Sequence, residues 1–496
     1  MTPNLPPQHP TPLTRTNRGL SWLTDILLFL PPAGLFFWTH CLRAFNGYYG
    51  QDSHAYLAYS RKIGQFLAGG PIPGDFFWPV NYPLAGTAFD LMPFLGKLAL
   101  PLLSLVSFLA TIWLFRRVLI HCFSADRLIA TLFTLCSLGI SPALLRASNL
   151  AMSDCLAIFL VFFAWQQALR FYRTGAARCL LWAASLAGFA IGTRYANMVL
   201  LIFPGLLALK GLVHHRRWAL LFPGVILVCT GLLPTWLLTG HFPGLTTYAS
   251  SHHFSPIHWF QASFPNHVDG HLQYSQINLI HVAHIFLRPD YIWPVLPCLA
   301  FLGPGEFRHL EVKSSLIVAF TYLLFVAGLD MQNPRFLLPA LPFLLVAVFP
   351  AWERAFAMVR KPAFKTVILL AMLSFSIAVF LRLMAPMLQR QALEAEIAAD
   401  LKARSQNHVY TFAIDVALPT YGVNQPIINL WREPIDAFQV GGYAIFNETR
   451  FATQWHDRLP MTNWEKLKRN YQLKPLKDYG EGWVLFQIEA AKPGPG

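Results

Sequence analysis

Charge is scarce in this chain. Acidic and basic residues together make up 12% of its 496 residues, against about 25% in an average soluble domain. Such poverty of charge, with 55% hydrophobic residues, argues against an ordinary soluble enzyme and against a disordered protein. Cysteine has no pattern either. Seven are present and none follows Cys298, with no CxxC pair and no Cys/His spacing of the kind that holds zinc. That argues against a disulfide framework. A signal-peptide cleavage site is missing after the first apolar run, so this run reads as an uncleaved span. No basic-aromatic patch of a nucleic-acid binder is found, and no matching half-repeats of the sort many transporters carry. The net charge of +14 therefore needs another cause. Beyond residue 386 acids and bases balance, so the whole excess lies in the hydrophobic part, mostly in short loops, as the positive-inside rule requires.

What the chain has in quantity is apolar runs of spanning length. They lie near 20–40, 98–118, 127–143, 153–172, 178–193, 195–211, 217–239, 285–303, 314–330, 335–350 and 364–386, about eleven spans in all. The expected fold class is an α-helical polytopic membrane protein with a small C-terminal α/β domain outside the membrane. Residues 1–19 form a cytoplasmic tail, 20–386 the membrane domain, and 387–496 the outer domain. Arg116, Arg117, Arg127, Arg170, Arg173, Arg178, Lys210, Arg216, Arg217, Arg308, Lys313, Arg354, Arg360 and Lys361 fall in alternate loops. These loops are expected to be cytoplasmic, with the N-terminus inside and the C-terminus outside. Loops 41–83 and 240–284 then face outward. Residues 84–96, short and marked by Pro83, Asp90, Pro93 and Lys97, are expected as an interfacial helix. In the tail, "HVYTFAIDVALPTYG" and "GWVLFQIE" alternate apolar and polar residues and read as strands, after a helical start near 388–404. Asn447-Glu448-Thr449 is a glycosylation sequon by pattern.

Few ionisable residues lie at the outer ends of the spans. Asp52 follows the first span, ahead of His54, Tyr56, Tyr59, Arg61 and Lys62 on what reads as an amphipathic helix. Spacings of three and four put Asp52, Tyr56 and Tyr59 on one face. A carboxylate at the rim of a membrane cavity suits a general base for a hydroxyl or amine. The bland reading of Asp52 is a helix N-cap. Asp154 opens the span "AMSDCLAIF", and has the same two readings, cap or functional acid. Arg194 in "GTRYAN" and Arg335 in "NPRFLL" lie at outer ends of spans, where two arginines suit a phosphate or pyrophosphate; snorkelling to lipid head groups is the alternative. Loop 240–284 holds His241, His252, His253, His258, His267, His271, His281 and His284. Lacking any HExxH spacing, they read as polar interface residues, and no metal site is assigned. Trp78, Trp259 and Trp293 read as interfacial aromatics.

In order and spacing these motifs resemble those of the GT-C superfamily of integral-membrane glycosyltransferases. The branch they resemble most holds the protein O-mannosyltransferases, the lipid A aminoarabinose transferases and the bacterial RgtA/B/C/D type. "GQDSHAYLAYSRKI" is similar to the first acidic motif, "NYPLAG" to the proline motif that closes the loop, "AMSDCLAIFLVFFAWQQALRFYR" to the second acidic site, and "GTRYAN" and "NPRFLLPALPFLL" to the late arginine motifs. The likeness covers residues 20–386. It implies a polyprenyl-phosphate-linked sugar as donor and a lipid, glycan or protein as acceptor, on the outer face of a bacterial inner membrane. Asp52 would be the base, with inversion at the anomeric carbon, and Asp154 would shape the site. Arg194 and Arg335 would hold the phosphate, supported by Lys62, Tyr82, His54, Tyr56 and Tyr195. No cofactor is implied, since the first motif, Gln51-Asp52-Ser53, has one acid where the family often has two. A multispan transporter or flippase is the competing class.

Overall fold

The computed structural model describes residues 16–90, 92, 96–240, 253–266, 269–291 and 293–492. Ten helices come first: α1 Thr16–Phe37, α2 Gly50–Leu67, α3 Asn81–Asp90, α4 Ala99–Phe123, α5 Arg127–Thr134, α6 Pro142–Ser148, α7 Asp154–Thr174, α8 Ala177–Thr193, α9 Asn197–His214 and α10 Leu221–Thr239. Further apolar helices span Leu310–Ala327, Leu341–Met358 and Pro362–Lys402. Among the described residues, eight helices are long and apolar enough to cross a membrane, and α8 is a shorter apolar one. The expected span at 127–143 is bent by 71° between Arg127–Gly139 and Pro142–Ser148. Ser141 precedes a proline, which disfavours helical backbone, and it stands at φ −57°, ψ 117°.

The expected span at 285–303 is not one α-helix. It is the short helix Asn278–Phe286 followed by a 3-10 segment, Trp293–Phe301. It still leads from one end of the bundle to the other. Asn278 Nδ2 donates to the carbonyls of Ala327 and Leu329, both at 2.9 Å, whereas Gly303 donates to Glu306, which pairs with Arg354 at 2.6 Å.

Two ends can be told apart chemically. Helix α7 rises about 30 Å over its length, close to the thickness of a bilayer core. Asp154 starts it, and Arg173 near its far end pairs with Glu311. Packing between α8 and α10 relies on small residues at close approach, as membrane helices often do. A Cβ on Gly231 would collide with the Gly188 backbone, and one on Gly192 with Asn81. Asn81 itself donates to the Gly231 carbonyl at 2.8 Å, so α3 is pinned to this same junction.

Helix Pro362–Lys402 runs unbroken past residue 387, reaching about 60 Å, and its end belongs to the C-terminal domain. There a five-stranded sheet has the order β4-β3-β5-β7-β6: β3 Val409–Thr411, β4 Ile427–Asn429, β5 Tyr443–Phe446, β6 Tyr471–Asp478 and β7 Val484–Ala491. Strand β3 is parallel to β4 and β5, and the other pairs are antiparallel. A hairpin, β1 Ser263–Asn266 with β2 Gly270–Gln273, belongs to loop 240–284. The expected strand through "FAIDVALPTYG" stops early. After Thr411 the chain turns into a short helix, Ala417–Thr420, because Ala417 and Leu418 both bury on the domain core. Asn447 is buried as a helix N-cap, its side chain accepting from Arg450 N.

The domain is tied to loops 41–83 and 240–284. His54 Nδ1 meets Thr420 Oγ1 at 2.8 Å, Asn46 N donates to Gln391 at 2.7 Å, and Gln454 donates to the Asp269 carbonyl at 2.6 Å. Replacing Gly231 by Leu should force α8 and α10 apart, at a cost of about 1–3 kcal/mol or more. The thermal unfolding midpoint of the detergent-solubilised protein should fall, while Gly205→Leu, where a Cβ meets nothing within 4 Å, should leave it near the wild-type value.

Candidate active site

The site forms where the starts of α2 and α7, the end of α8 and the 3-10 segment Pro334–Ala340 meet at one end of the bundle. The turn before α2 is set by Gly47 at φ 84°, a backbone that favours glycine, with Pro101 packed where a Cβ would stand. The Gly47 carbonyl accepts from Ala151 N at 2.8 Å. This bond fixes the start of α2 beside the segment 151–154, and so brings Asp52 close to Asp154.

Neither acid caps its helix. The N-cap of α2 is Tyr49 and that of α7 is Ser153, with no side-chain cap bond at either. Both acids face arginine instead. The Arg335 guanidinium places Nη2 2.8 Å from Asp52 Oδ2 and Nε 3.2 Å from Asp154 Oδ2. Arg194, in extended backbone just past α8, binds Asp154 Oδ1 and lies over the Phe336 ring. Asp154 is wholly buried, and Asp52 has 29% of its side chain exposed. A buried charge persists only when paired, so Asp154 is the fixed anchor and Asp52 the carboxylate that meets solvent. Snorkelling does not describe these arginines, whose side chains are 12% and 17% exposed.

A cavity of about 210 Å³ opens here, lined by Asp52, Tyr56, Trp78, Ser153, Arg194, Tyr195, Asp269, Asn333 and Arg335. Tyr56 donates to Ser153 Oγ at 3.2 Å, and burial, then the Asp52 charge, push its hydroxyl well above the usual range. The Tyr195 hydroxyl is buried and has no hydrogen-bond partner among the described residues. Of the nine residues singled out from the sequence, six gather here: Asp52, Asp154, Arg194, Arg335, Tyr56 and Tyr195. Lys62 lies further out, on a second cavity that shares Asp52, Trp78 and Asp269 with the first. Tyr82 lines neither cavity, being fully buried with its hydroxyl bonded to Ser104 and the Leu100 carbonyl. His54 is likewise buried, between Thr420 and Glu394, where α2 docks on the C-terminal domain.

Sequence reasoning missed Asp269 and gave Trp78 no place in the site. Asp269 sits in a loop with no motif, and only the hairpin β1–β2 and the bond from Gln454 carry it to the cavity mouth. Trp78, read as an interfacial aromatic, lines both cavities. Of the loop histidines, His241, His252 and His267 lie outside the described residues. His258 binds the Gly328 carbonyl at 2.9 Å, and His271 stacks on His456 at 4.1 Å. Among the described residues no group of three or more His, Cys, Asp or Glu is placed to hold a metal ion.

With this geometry in view, the chain can be set beside known proteins. No protein-family model and no curated protein matches the sequence. Solved structures do match. A crystal structure of ArnT from Cupriavidus metallidurans bound to undecaprenyl phosphate is 12% identical at a TM-score of 0.61, with 94% of this chain and 98% of that chain covered. The same protein in its apo state gives 13% identity with the same coverage and TM-score. The chain has an ArnT-like fold. The helical polytopic fold with a small C-terminal domain expected from the sequence is the one observed, and its likeness to ArnT runs over nearly the whole of both chains.

Two outcomes follow from the site. Asp154→Asn leaves two arginines without their anchor and should cost about 3–5 kcal/mol, read as a drop in unfolding free energy of the purified protein. The Asp269 carboxyl is pushed up to about 6, first by burial and then by the charges of Asp52 and Asp330. A raised acid binds more protons in the folded state between its unfolded and folded values, so its contribution to stability falls as pH rises from about 4 to about 6. Asp269→Asn should abolish that fall. Unfolding midpoints across pH 4–7 should shift in favour of the variant as pH rises.

Proposed function

We propose that the chain is a membrane glycosyltransferase. It moves a sugar from a polyprenyl-phosphate donor to a hydroxyl- or amine-bearing acceptor, with inversion at the anomeric carbon. One observation carries this reading: two arginines, held by a fully buried aspartate, share a cavity with a more exposed aspartate at the end of a membrane bundle. A fold match to a protein crystallised with undecaprenyl phosphate supports a polyprenyl phosphate as the partner of these arginines.

The chemistry follows from the charges. As the bond between the anomeric carbon and the phosphate oxygen breaks, negative charge grows on the phosphate. Fixed guanidinium groups stabilise that charge where water is excluded, commonly the largest catalytic effect. Arg194 is held by the buried Asp154, whereas Arg335 divides itself between Asp154 and Asp52. In this reading an arriving phosphate draws Arg335 away from Asp52. Freed of its cation, Asp52 becomes the better base and takes the acceptor proton as the new glycosidic bond forms. Polyprenyl phosphate leaves. No cofactor enters the reaction so written. Tyr56 and Tyr195 supply hydroxyls at the cavity wall, while Tyr82 and His54 act through the walls they brace. The proposed setting is a bacterial inner membrane, with the Asp52 end and the C-terminal domain outside.

Mass spectrometry of lipid extracts tests this in a deletion strain complemented with wild type, Asp52→Asn or Arg335→Ala at equal protein level. A polyprenyl-phosphate sugar should accumulate in the deletion and in both variants. Turnover should fall about 10²–10⁴-fold for the lost base and about 10²–10³-fold for the lost cation. An unchanged lipid profile in the deletion strain would count for transport or scaffolding instead.

A further inference from the structure

The outer side of Asp52 opens onto more space than a donor phosphate needs. Beyond the arginine cavity lies one of about 690 Å³, and next to it a third of about 670 Å³. The two share Ala58, Lys62, Asp415, Asn429 and Arg432, so they form one trench. Helix α2 is one wall. Its residues Asp52, Ala55, Ala58, Lys62 and Gln65 recur every three or four positions and line the trench in turn, which places them on one face over about 20 Å of helix. The opposite wall is the C-terminal domain, from Asp415 after β3 to Asn429 on β4 and Arg432 beyond it. Gln51 reaches across to Asp415 at 3.2 Å and helps hold the two walls at this spacing.

The lining indicates what fits. Indole rings of Trp78, Trp431 and Trp455 stand near the inner end, flat apolar faces that suit the C–H faces of sugar rings. Between and beyond them both charge signs occur: Arg61, Lys62 and Arg432 against Asp415 and Glu433. Such mixed donors and acceptors suit hydroxyl groups, which both donate and accept, and they do not suit an acyl chain. Edge strand β4 contributes only three residues, a short template for a peptide adding by strand pairing.

We propose that this trench is the acceptor route. The acceptor lays an extended saccharide along α2 and presents its reacting hydroxyl or amine where Asp52 and Asp269 flank the cavity mouth. The inference rests on the transferase reading. The acceptor oxygen or nitrogen bonds to the anomeric carbon, its proton passes to a carboxylate at this mouth, and the bond to phosphate breaks with its electron pair leaving on the phosphate.

Ala58→Trp tests the route, because Ala58 lies where the two outer cavities join and lines no part of the arginine cavity. The full-length purified variant should bind undecaprenyl phosphate as wild type does. In the complemented deletion strain it should accumulate the lipid-linked sugar at least tenfold over wild type, and Val440→Trp, on an exposed residue outside the trench, should not. Ala58→Trp turning over the lipid at the wild-type rate overturns the proposal. Should Ala58→Trp lose undecaprenyl phosphate binding through misfolding, the double variant Trp431→Ala/Arg432→Ala, which adds no bulk, decides on the same two readouts. The chemical class is read by replacing Trp431 with a photo-cross-linking amino acid in the Asp52→Asn protein. A sugar-bearing adduct supports the saccharide, and a peptide or bare acyl adduct overturns it. If the deletion strain itself accumulates no lipid-linked sugar, the transferase reading has failed, whatever the trench variants do.

Discussion

A single buried carboxylate organises this protein. Asp154 has no access to solvent, yet it carries the charge that two arginines need. Burying it alone would be prohibitive, so the start of α7, the end of α8 and the 3-10 segment Pro334–Ala340 must converge on it. The bundle is arranged to let them. Gly47 allows the turn before α2 to pass under Ala151, and α8 packs along α7, so that Arg194 at its end reaches Asp154. Loss of this anchor would take from both guanidinium groups the buried carboxylate they share, leaving Arg335 with Asp52.

The same anchor creates an asymmetry that the chemistry can use. Arg194 binds the buried Asp154, and Arg335 bridges Asp154 and Asp52. The second arginine is therefore shared between a buried acid and a more exposed one. In the proposed reaction the donor phosphate competes with Asp52 for this shared cation. Coupling of this kind needs no large movement, only a redistribution of charge-assisted hydrogen bonds within about 3 Å.

The C-terminal domain is not an appendage to this arrangement. It grows from the same unbroken helix that runs along the bundle, and it is bonded to loops 41–83 and 240–284 through His54, Asn46 and Asp269. Its sheet edge and the polar face of α2 enclose the trench between them. Arg432 and Trp431, remote in sequence from any motif of the membrane part, stand on the path to Asp52 for that reason. Asp415 has a similar place. It is buried, its carboxyl raised above the usual range by that burial, and it accepts from both Gln51 and Asn429.

Sequence by itself determined the class of molecule and most of its spans, because apolar length is a local property that a bilayer makes obligatory. It also singled out Asp52, Asp154, Arg194 and Arg335, since an ionisable group at a span end must have a reason to be there. It did not decide between cap and ion pair. A cap is read from neighbours in the chain, but Arg194 lies 40 residues from Asp154 and Arg335 lies 283 from Asp52. Only the tertiary structure brings those pairs together. Nor did local alternation reveal that Ala417–Thr420 is helical, for burial on the domain core overrides strand propensity there. Asp269 had no local signature at all. Its place at the cavity mouth depends on a hairpin and on one bond from Gln454, contacts between distant parts of the chain whose geometry exists only once the bundle and the sheet domain have packed.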